Sequence, residues 1–515
     1  GTVVLFITVP QVIAYAFLAG MPAEAGLYAA MMSLLGYAIF GSSRALAVGP
    51  TAIIGMMTLE AASAYANPGT VDYTETVVQL CVVTGIVLIV LRIVNFGSVI
   101  SFLSHAVVTG FITAAAILII SNQFPLMIGL ASSPDTSIVG VYRYLFEDAS
   151  QFNQAVVSVS LVAVVVLVFC KTYLGSLLKR TGLADGVIDS LVKSAPMYAV
   201  VIGVLSVRFF SLDTASGVPV VGDIPTVLPD INVVLMSLER FQALLPSALL
   251  ISMVIFMEST SIGTAIASKA REKLNPNQEL VGLGVANLGS SLVGGFPVAG
   301  SFARSIVNFS SGSVSPVASL VTAFLVMITI LLFGSLFFHL PKGVLSAIIV
   351  ISAWQLIDFQ AVRKIFSFNA TDAVTFSFTF LAVLSLGVES GVLMGIAISF
   401  VLLIRSSSKP HIAVVGRVGD SEHFRNVERY DVRTSPNLLA LRVDESLYFV
   451  NTRFIETFIL NDIADRREVE HVLLICTATN FIDTSGLEML EELSENLDEV
   501  GVTLHMAEVK GPVMD

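Results

Sequence analysis

The run VTAFLVMITILLFGSLFF at residues 321–338 carries no charged side chain. A helix of about 20 apolar residues crosses the hydrocarbon core of a bilayer, where the backbone must find its hydrogen bonds inside the protein. Similar segments are expected near residues 2–20, 25–41, 51–65, 76–95, 98–121, 153–171, 195–211, 241–263, 278–294, 301–311, 315–338, 342–357, 372–388 and 390–405. That makes about fourteen spans, two of them short, and an even number returns both chain ends to one side. With 55% hydrophobic and 13% charged residues and a mean hydropathy of +0.86 over 515 residues, a soluble globule is excluded for most of the length. In the first span Pro10 and Gln11 suggest a kinked helix with a polar group turned toward a cavity.

Charge separates the chain into two parts. Residues 1–408 hold 17 Lys and Arg and 19 Asp and Glu, whereas residues 409–515 hold 10 and 20. The first part is a membrane domain; the second, which carries most of the net charge of −12, reads as a soluble domain. That acidity gives no reason to expect nucleic acid as a partner. Cys81, Cys170 and Cys476 are far apart and have no nearby histidine pairs, so neither a metal site, a disulfide framework nor a cofactor is suggested. The chain opens at Gly1 within an apolar segment, without a charged leader or cleavage site, and is expected to start earlier in the full protein.

Twelve Lys and Arg, from Arg44 and Arg92 to Lys364 and Arg405, fall in alternate loops on the side of the C-terminus. The opposite loops have Arg143, Arg240 and Lys342 beside acids such as Asp72, Asp135 and Asp213. The positive-inside rule then puts both termini and the soluble domain in the cytoplasm of an inner or plasma membrane protein.

Two stretches interrupt the helical pattern. In NLGSSLVGGFPVAGSFARSIVN, residues 287–308, Gly294, Gly295 and Pro297 break the run and Phe296 to Ala299 reads as extended. Ser301 is placed to cap a new helix with Arg304 in its first turn. In SSRALAVGPTAIIGMMT, residues 42–58, Arg44 to Val48 reads as a short strand and Gly49 as a turn. Pro50 takes the first helical position, before an apolar helix from Thr51. A helix start has unpaired N–H groups and the positive end of its dipole, so two facing half-helices at the bilayer midplane would hold a small anion. Either stretch alone reads as well as a glycine-rich surface loop; the second copy favours a transporter of inverted repeats.

Beyond residue 408, HIAVVGR, NLLALRV, SLYFVN, HVLLICT and VTLHMA alternate as strands, with helices at about 451–463 and 485–499. This small α/β domain has no phosphate-binding glycine loop and no nucleophile with a base, so regulation or binding is expected of it.

VPQVIAYAFLAGMPAEAGLYAA, SSRALAVGPTA and the 287–308 stretch, followed by DTSGL in the cytoplasmic domain, resemble the sulfate permease (SulP) anion transporters over nearly the whole chain. The resemblance implies a seven-plus-seven inverted repeat, with a core of spans 1–4 and 8–11 moving against a gate of spans 5–7 and 12–14. It also implies a STAS domain at 409–515, ending short of its last helices, and a homodimer. The family's anion pocket falls on Gln11 and Tyr15 in span 1, Thr51 and Ala52 at the start of span 3, and Ser301, Phe302 and Ala303 at the start of span 10. Arg304 matches a basic residue just behind it. Ala303 stands where relatives have serine or threonine, which leaves substrate choice open.

Glu258, in SMVIFMESTSIG of span 8, is a carboxylate deep in the membrane domain. It either carries a coupling proton, or helps hold a sodium ion, or simply pairs with Arg304. Glu60 in the third span reads as an interfacial carboxylate, with the outer vestibule as the alternative, and His105, after Ser104, as packing at the cytoplasmic edge rather than a proton relay. In Asp483-Thr484-Ser485-Gly486, Asp483 and Ser485 fit a helix cap, and Thr484 is the phosphosite if there is one. The expected function is secondary transport of a small anion with protons, not enzymatic catalysis. Sulfate or a similar oxyanion comes first, then bicarbonate or a dicarboxylate. An uncoupled channel, a sensor acting on a protein partner of the STAS domain, and a nucleobase transporter are the alternatives.

Overall fold

The computed structural model describes residues 1–97, 104–133 and 137–514. Asp135, Asp515 and the first residues of the span expected at 98–121 lie outside the described residues. The chain divides into two compact units, Gly1–Ile396 and Ala397–Asp515.

The first unit is helical. Its first half contains α1 (Thr2–Leu18), α2 (Ala23–Phe40), α3 (Ala52–Ser63), α4 (Val71–Ile93), α5 (His105–Ile128), α6 (Gln154–Phe169) and α7 (Ala195–Phe210). The second half contains α8 (Leu238–Ala270), α9 (Pro276–Leu292), α10 (Phe302–Ser310), α11 (Val317–Phe333), α12 (Lys342–Trp354) and α13 (Ala370–Leu386). The helix α14 (Val388–Ser407) runs across the division between the units.

Among the described residues eight helices are long and apolar enough to cross a membrane, or up to nine if the segments Asp185–Lys193 and Ala195–Phe210, bent by 51°, form one span. The sequence pattern suggests more, and the difference lies in shorter helices: α1, α9 and α13 have 17 residues each, and the two that follow the breaks are shorter still. The helices α3 and α10 have 12 and 9 residues, and α9 mixes Gly, Asn and Ser among its apolar residues because it packs inside the protein, against α4 and α2. Small residues on such a helix allow close approach to its neighbours.

Before α3 and α10 the chain is extended, more briefly than the sequence suggests. Only β1 (Val48–Gly49) and β2 (Ala299–Gly300) are strands, paired antiparallel with Val48 opposite Gly300 and Gly49 opposite Ala299. Gly49 therefore lies in a strand, not a turn. Thr51 occupies the N-cap position and α3 begins at Ala52, which leaves Pro50 ahead of the helix. Ser301 occupies the N-cap position of α10, but its side chain makes no capping bond. Its N–H instead extends the pairing, to the Ala47 carbonyl at 3.0 Å.

A two-residue ladder leaves most of its flanking backbone unpaired, which is costly away from water. Side chains from four helices meet that need. Asn287 accepts from the Val298 N–H at 2.9 Å and donates to its carbonyl at 3.1 Å. The Ser290 hydroxyl donates to the Phe296 carbonyl, the Ser259 hydroxyl accepts from the Gly300 N–H, and that of Ser33 donates to the Val48 carbonyl. From α10, Ser305 accepts from the Ala47 N–H and Asn308 donates to the Ala45 carbonyl.

The second unit contains a five-stranded sheet in the order β4-β3-β5-β6-β7. Its strands are β3 (Ile412–Arg417), β4 (Phe424–Asn426), β5 (Leu438–Val443), β6 (His471–Ile475) and β7 (Thr503–Ala507). β3 is antiparallel to β4 and β5, and β5, β6 and β7 are mutually parallel. Two helices, α15 (Thr452–Asp465) and α16 (Thr484–Glu499), supply the crossovers and pack Ile455, Ile459, Leu493 and Leu497 on Leu439, Leu441, Val472 and Leu474. SLYFVN is not a strand. Leu447 makes one bridge to Ile482, and the segment turns through Asn451, whose side chain holds the Ser446 carbonyl and the Tyr448 N–H.

Candidate functional site

The antiparallel pairing of β1 with β2 brings the starts of α3 and α10 to one place and sends the helices apart. A cavity of about 320 Å³ lies there. Thr51, Ala52, Ser301, Phe302 and Ala303 line it from the helix starts, Gln11 and Tyr15 from α1, and Glu258 from α8. So seven residues expected from the sequence to surround one anion, and the carboxylate expected beside it, share one cavity.

The polar groups there are sparsely paired. Gln11 is 4% exposed and donates to the Ser352 hydroxyl of α12 at 3.4 Å, while its Oε1 has no partner. The buried Thr51 hydroxyl and Oε2 of Glu258 also lack partners. Phe302 is 51% exposed beside buried Ser301, so its ring borders the hollow. Free backbone N–H groups at the two helix starts, which their cap side chains leave unbonded, add donors to the same wall.

Arg304 is not in the cavity wall. It is 1% exposed, and its Nη2 crosses to the Pro50 carbonyl at 2.7 Å, while Nη1 has no partner. The guanidinium thus joins the start of one half-helix to the approach of the other, behind the hollow. Among the described residues no hydrogen bond or ion pair joins it to Glu258, so the simple pairing of the two is not formed.

Sequence reasoning missed the facing wall. Ser352 of α12, Gln355 just after that helix, Leu167 of α6, and Lys171 and Lys193 belong to the lining as well. Lys171 and Gln355 are exposed and mark the mouth. Lys193 there donates to the Ser310 hydroxyl at the end of α10, at 2.6 Å, and pairs with Asp189.

The weaker candidates lie elsewhere. The Glu60 Oε2 accepts from the Val388 N–H at 3.0 Å. His105 is exposed at the start of α5, where the Ser104 hydroxyl accepts from the Val107 N–H. Asp483 caps α16 by accepting from the Gly486 N–H at 2.8 Å and accepts also from the Phe449 N–H, with Thr484 exposed beside it.

Comparison with known proteins identifies the family and the fold. The sulfate permease family matches residues 1–379 and the STAS domain residues 429–515. The chain is 31% identical over 515 residues to the probable sulfate transporter 4.2 of Arabidopsis thaliana, covering 98% of this chain and 74% of that one. Its fold is similar to that of the murine Slc26a9 anion transporter in the inward-facing state, with a TM-score of 0.89, 23% identity and coverage of 100% of this chain and 85% of that one. The transmembrane domain of the cyanobacterial bicarbonate transporter BicA gives a TM-score of 0.64 at 20% identity, over 78% of this chain and 95% of that one. With its helical membrane domain, its paired half-helices and its C-terminal STAS domain, the chain belongs to the sulfate permease family.

Proposed function

We propose that this protein is a secondary active transporter of a small anion, with sulfate or a similar oxyanion as the first candidate. The observation that carries the reading is the shared cavity at the starts of α3 and α10, where free N–H groups and helix dipoles favour negative charge. Gln11, Tyr15, Thr51, Ala52, Ser301, Phe302 and Ala303 contact the anion, and Arg304 supplies fixed positive charge from behind. Relatives named as sulfate transporters support sulfate, and the fold shared with BicA keeps bicarbonate as the second substrate to test.

Glu258 carries the coupling proton. A carboxylate with one buried, unpartnered oxygen, on the wall of an anion cavity, can take a proton as the anion enters and release it on the other side. Sodium at the same carboxylate is the alternative. The molecule works with both termini in the cytoplasm of an inner or plasma membrane, as a homodimer, through about fourteen spans in a seven-plus-seven repeat. A core of α1–α4 and α8–α11 moves like an elevator against a gate of α5–α7 and α12–α14. In the state described, the mouth faces the cytoplasm, as the loops of Lys171 and Lys193 belong to the basic side. The STAS domain, residues 409–515, takes a cytoplasmic protein partner, with Thr484 as the position to examine for phosphorylation.

Uptake of labelled sulfate, bicarbonate and fumarate into proteoliposomes under imposed proton or sodium gradients tests this. Sulfate uptake driven by an inward proton gradient is expected, insensitive to that gradient in Glu258→Gln and lost in Arg304→Ala. Uptake indifferent to both gradients in the parent protein would rule out symport.

A further inference from the structure

Glu60 lies outside the cavity, yet its setting is specific. It sits on α3, two turns beyond the residues that line the site, and its Oε2 accepts from the N–H of Val388, the first residue of α14. Gly387, just before that helix, has φ +89°, and a Cβ there would come within 2.3 Å of the Glu60 Oε1. The turn thus accommodates the carboxylate in two ways: it presents an unpaired helix-start N–H to one oxygen and leaves a side-chain-sized gap for the other. A carboxylate at a helix start is favoured by the dipole as well as by the bond.

The bond joins two elements that the elevator reading assigns to different bodies, α3 to the core and α14 to the gate. It also lies away from the mouth. α3 lines the cavity only with residues at its start, whereas Glu60 lies about two turns further along; in the positive-inside layout that end of α3 lies toward the face opposite the loops of Lys171 and Lys193. We propose that Glu60 is a positioning residue for transport: with Gly387 and Val388 it latches the far side of the cavity shut and sets the balance between the two access states. The inference rests on the core-and-gate reading. Opening the far side moves α3 away from α14 and breaks this bond, so its removal favours the opposite state.

The test uses the full chain in membrane vesicles of both orientations, with the three native cysteines replaced and a reporter cysteine at Ile306 in the cavity wall. An impermeant maleimide reads access. With Glu60 present, the reporter reacts fast from the face that carries the mouth and slowly from the other. In Glu60→Ala the ratio of the two rates shifts toward the far face by about tenfold, the weight of one charge-assisted hydrogen bond. Glu60→Gln keeps the shape with a weaker acceptor; it shifts the ratio less and serves if Glu60→Ala fails to fold. Gly387→Ala, which displaces the carboxylate, shifts it in the same direction. An unchanged ratio in Glu60→Gln and Gly387→Ala would overturn the latch and leave the transport reading intact. A reporter that reacts equally from both faces with Glu60 present would overturn the single-mouth cavity and the latch with it.

Discussion

Under the proposed function, Arg304 serves the anion site without touching what the site holds. It is buried, with one nitrogen on the Pro50 carbonyl; on that proposal it raises the potential of the cavity and leaves the contacts to helix-start N–H groups and Gln11. The sequence itself drew attention to Gln11, Thr51 and Ser301, because two breaks and a proline-flanked glutamine stand out in apolar runs, whereas Tyr15 came only from the resemblance to the sulfate permease family. Ser352 and Gln355 stood out in no such way: polar residues at helical spacing on an apolar helix look alike whether they face a cavity or a neighbouring helix. In the other unit, charge acts through direct pairing. Arg442 bonds to Asp444 and holds its carboxyl below the ordinary carboxylate range, with His411 adding at 2.8 Å. A group whose folded value is depressed stabilises the fold above the unfolded value, about 3.9, and loses that contribution as the pH falls through the folded value. Asp444→Asn is therefore expected to lower hydrogen-exchange protection of β3 and β5 in the full chain at pH 7, and to make no difference at an acid pH below the depressed folded value. A difference of equal size at both pH values would show that packing, not charge, is at stake.

Among elements, the paired half-helices depend on a frame that the sequence does not advertise. The breaks at Gly294, Gly295 and Pro297 and before Thr51 were legible, since glycine and proline stop helices for local reasons. The lengths of β1 and β2 were not, because two residues of ladder persist only where Asn287, Ser290, Ser259 and Ser33 replace the missing strands. Likewise, SLYFVN alternates like a strand but turns, because Asn451 captures its backbone. Asn287 carries the heaviest part, since it satisfies both polar groups of Val298. Asn287→Ala strands an N–H and a C=O in a buried place, at about 1–3 kcal/mol each. Thermal unfolding in detergent is expected to drop well below that of Ser290→Ala, which frees a single carbonyl. Equal losses in the two variants would mean that the extended segment does not rely on the asparagine amide.

For the whole molecule, the proposed elevator needs one sliding boundary and a core that keeps its shape, and the contacts can be sorted by that proposal into two kinds. Within the proposed core, Arg44 pairs with Glu272 at 3.2 Å, and Glu279 of α9, itself fully buried, accepts from the Tyr37 and Ser42 hydroxyls. Across the proposed boundary run single polar contacts that a slide can exchange: Gln11 to Ser352, Lys193 to Ser310, and Val388 to Glu60. The two classes predict opposite responses to cross-linking. Cysteines at Lys193 and Ser310 joined by a short bifunctional reagent tie gate to core, and uptake is expected to fall to background and recover when the link is cleaved. Cysteines at Arg44 and Glu272, exposed on one body, can be joined with most uptake retained. If the second link stopped transport as completely as the first, movement would have to occur inside the core, and the anion would cross by rearrangement of the half-helices themselves instead of being carried between them.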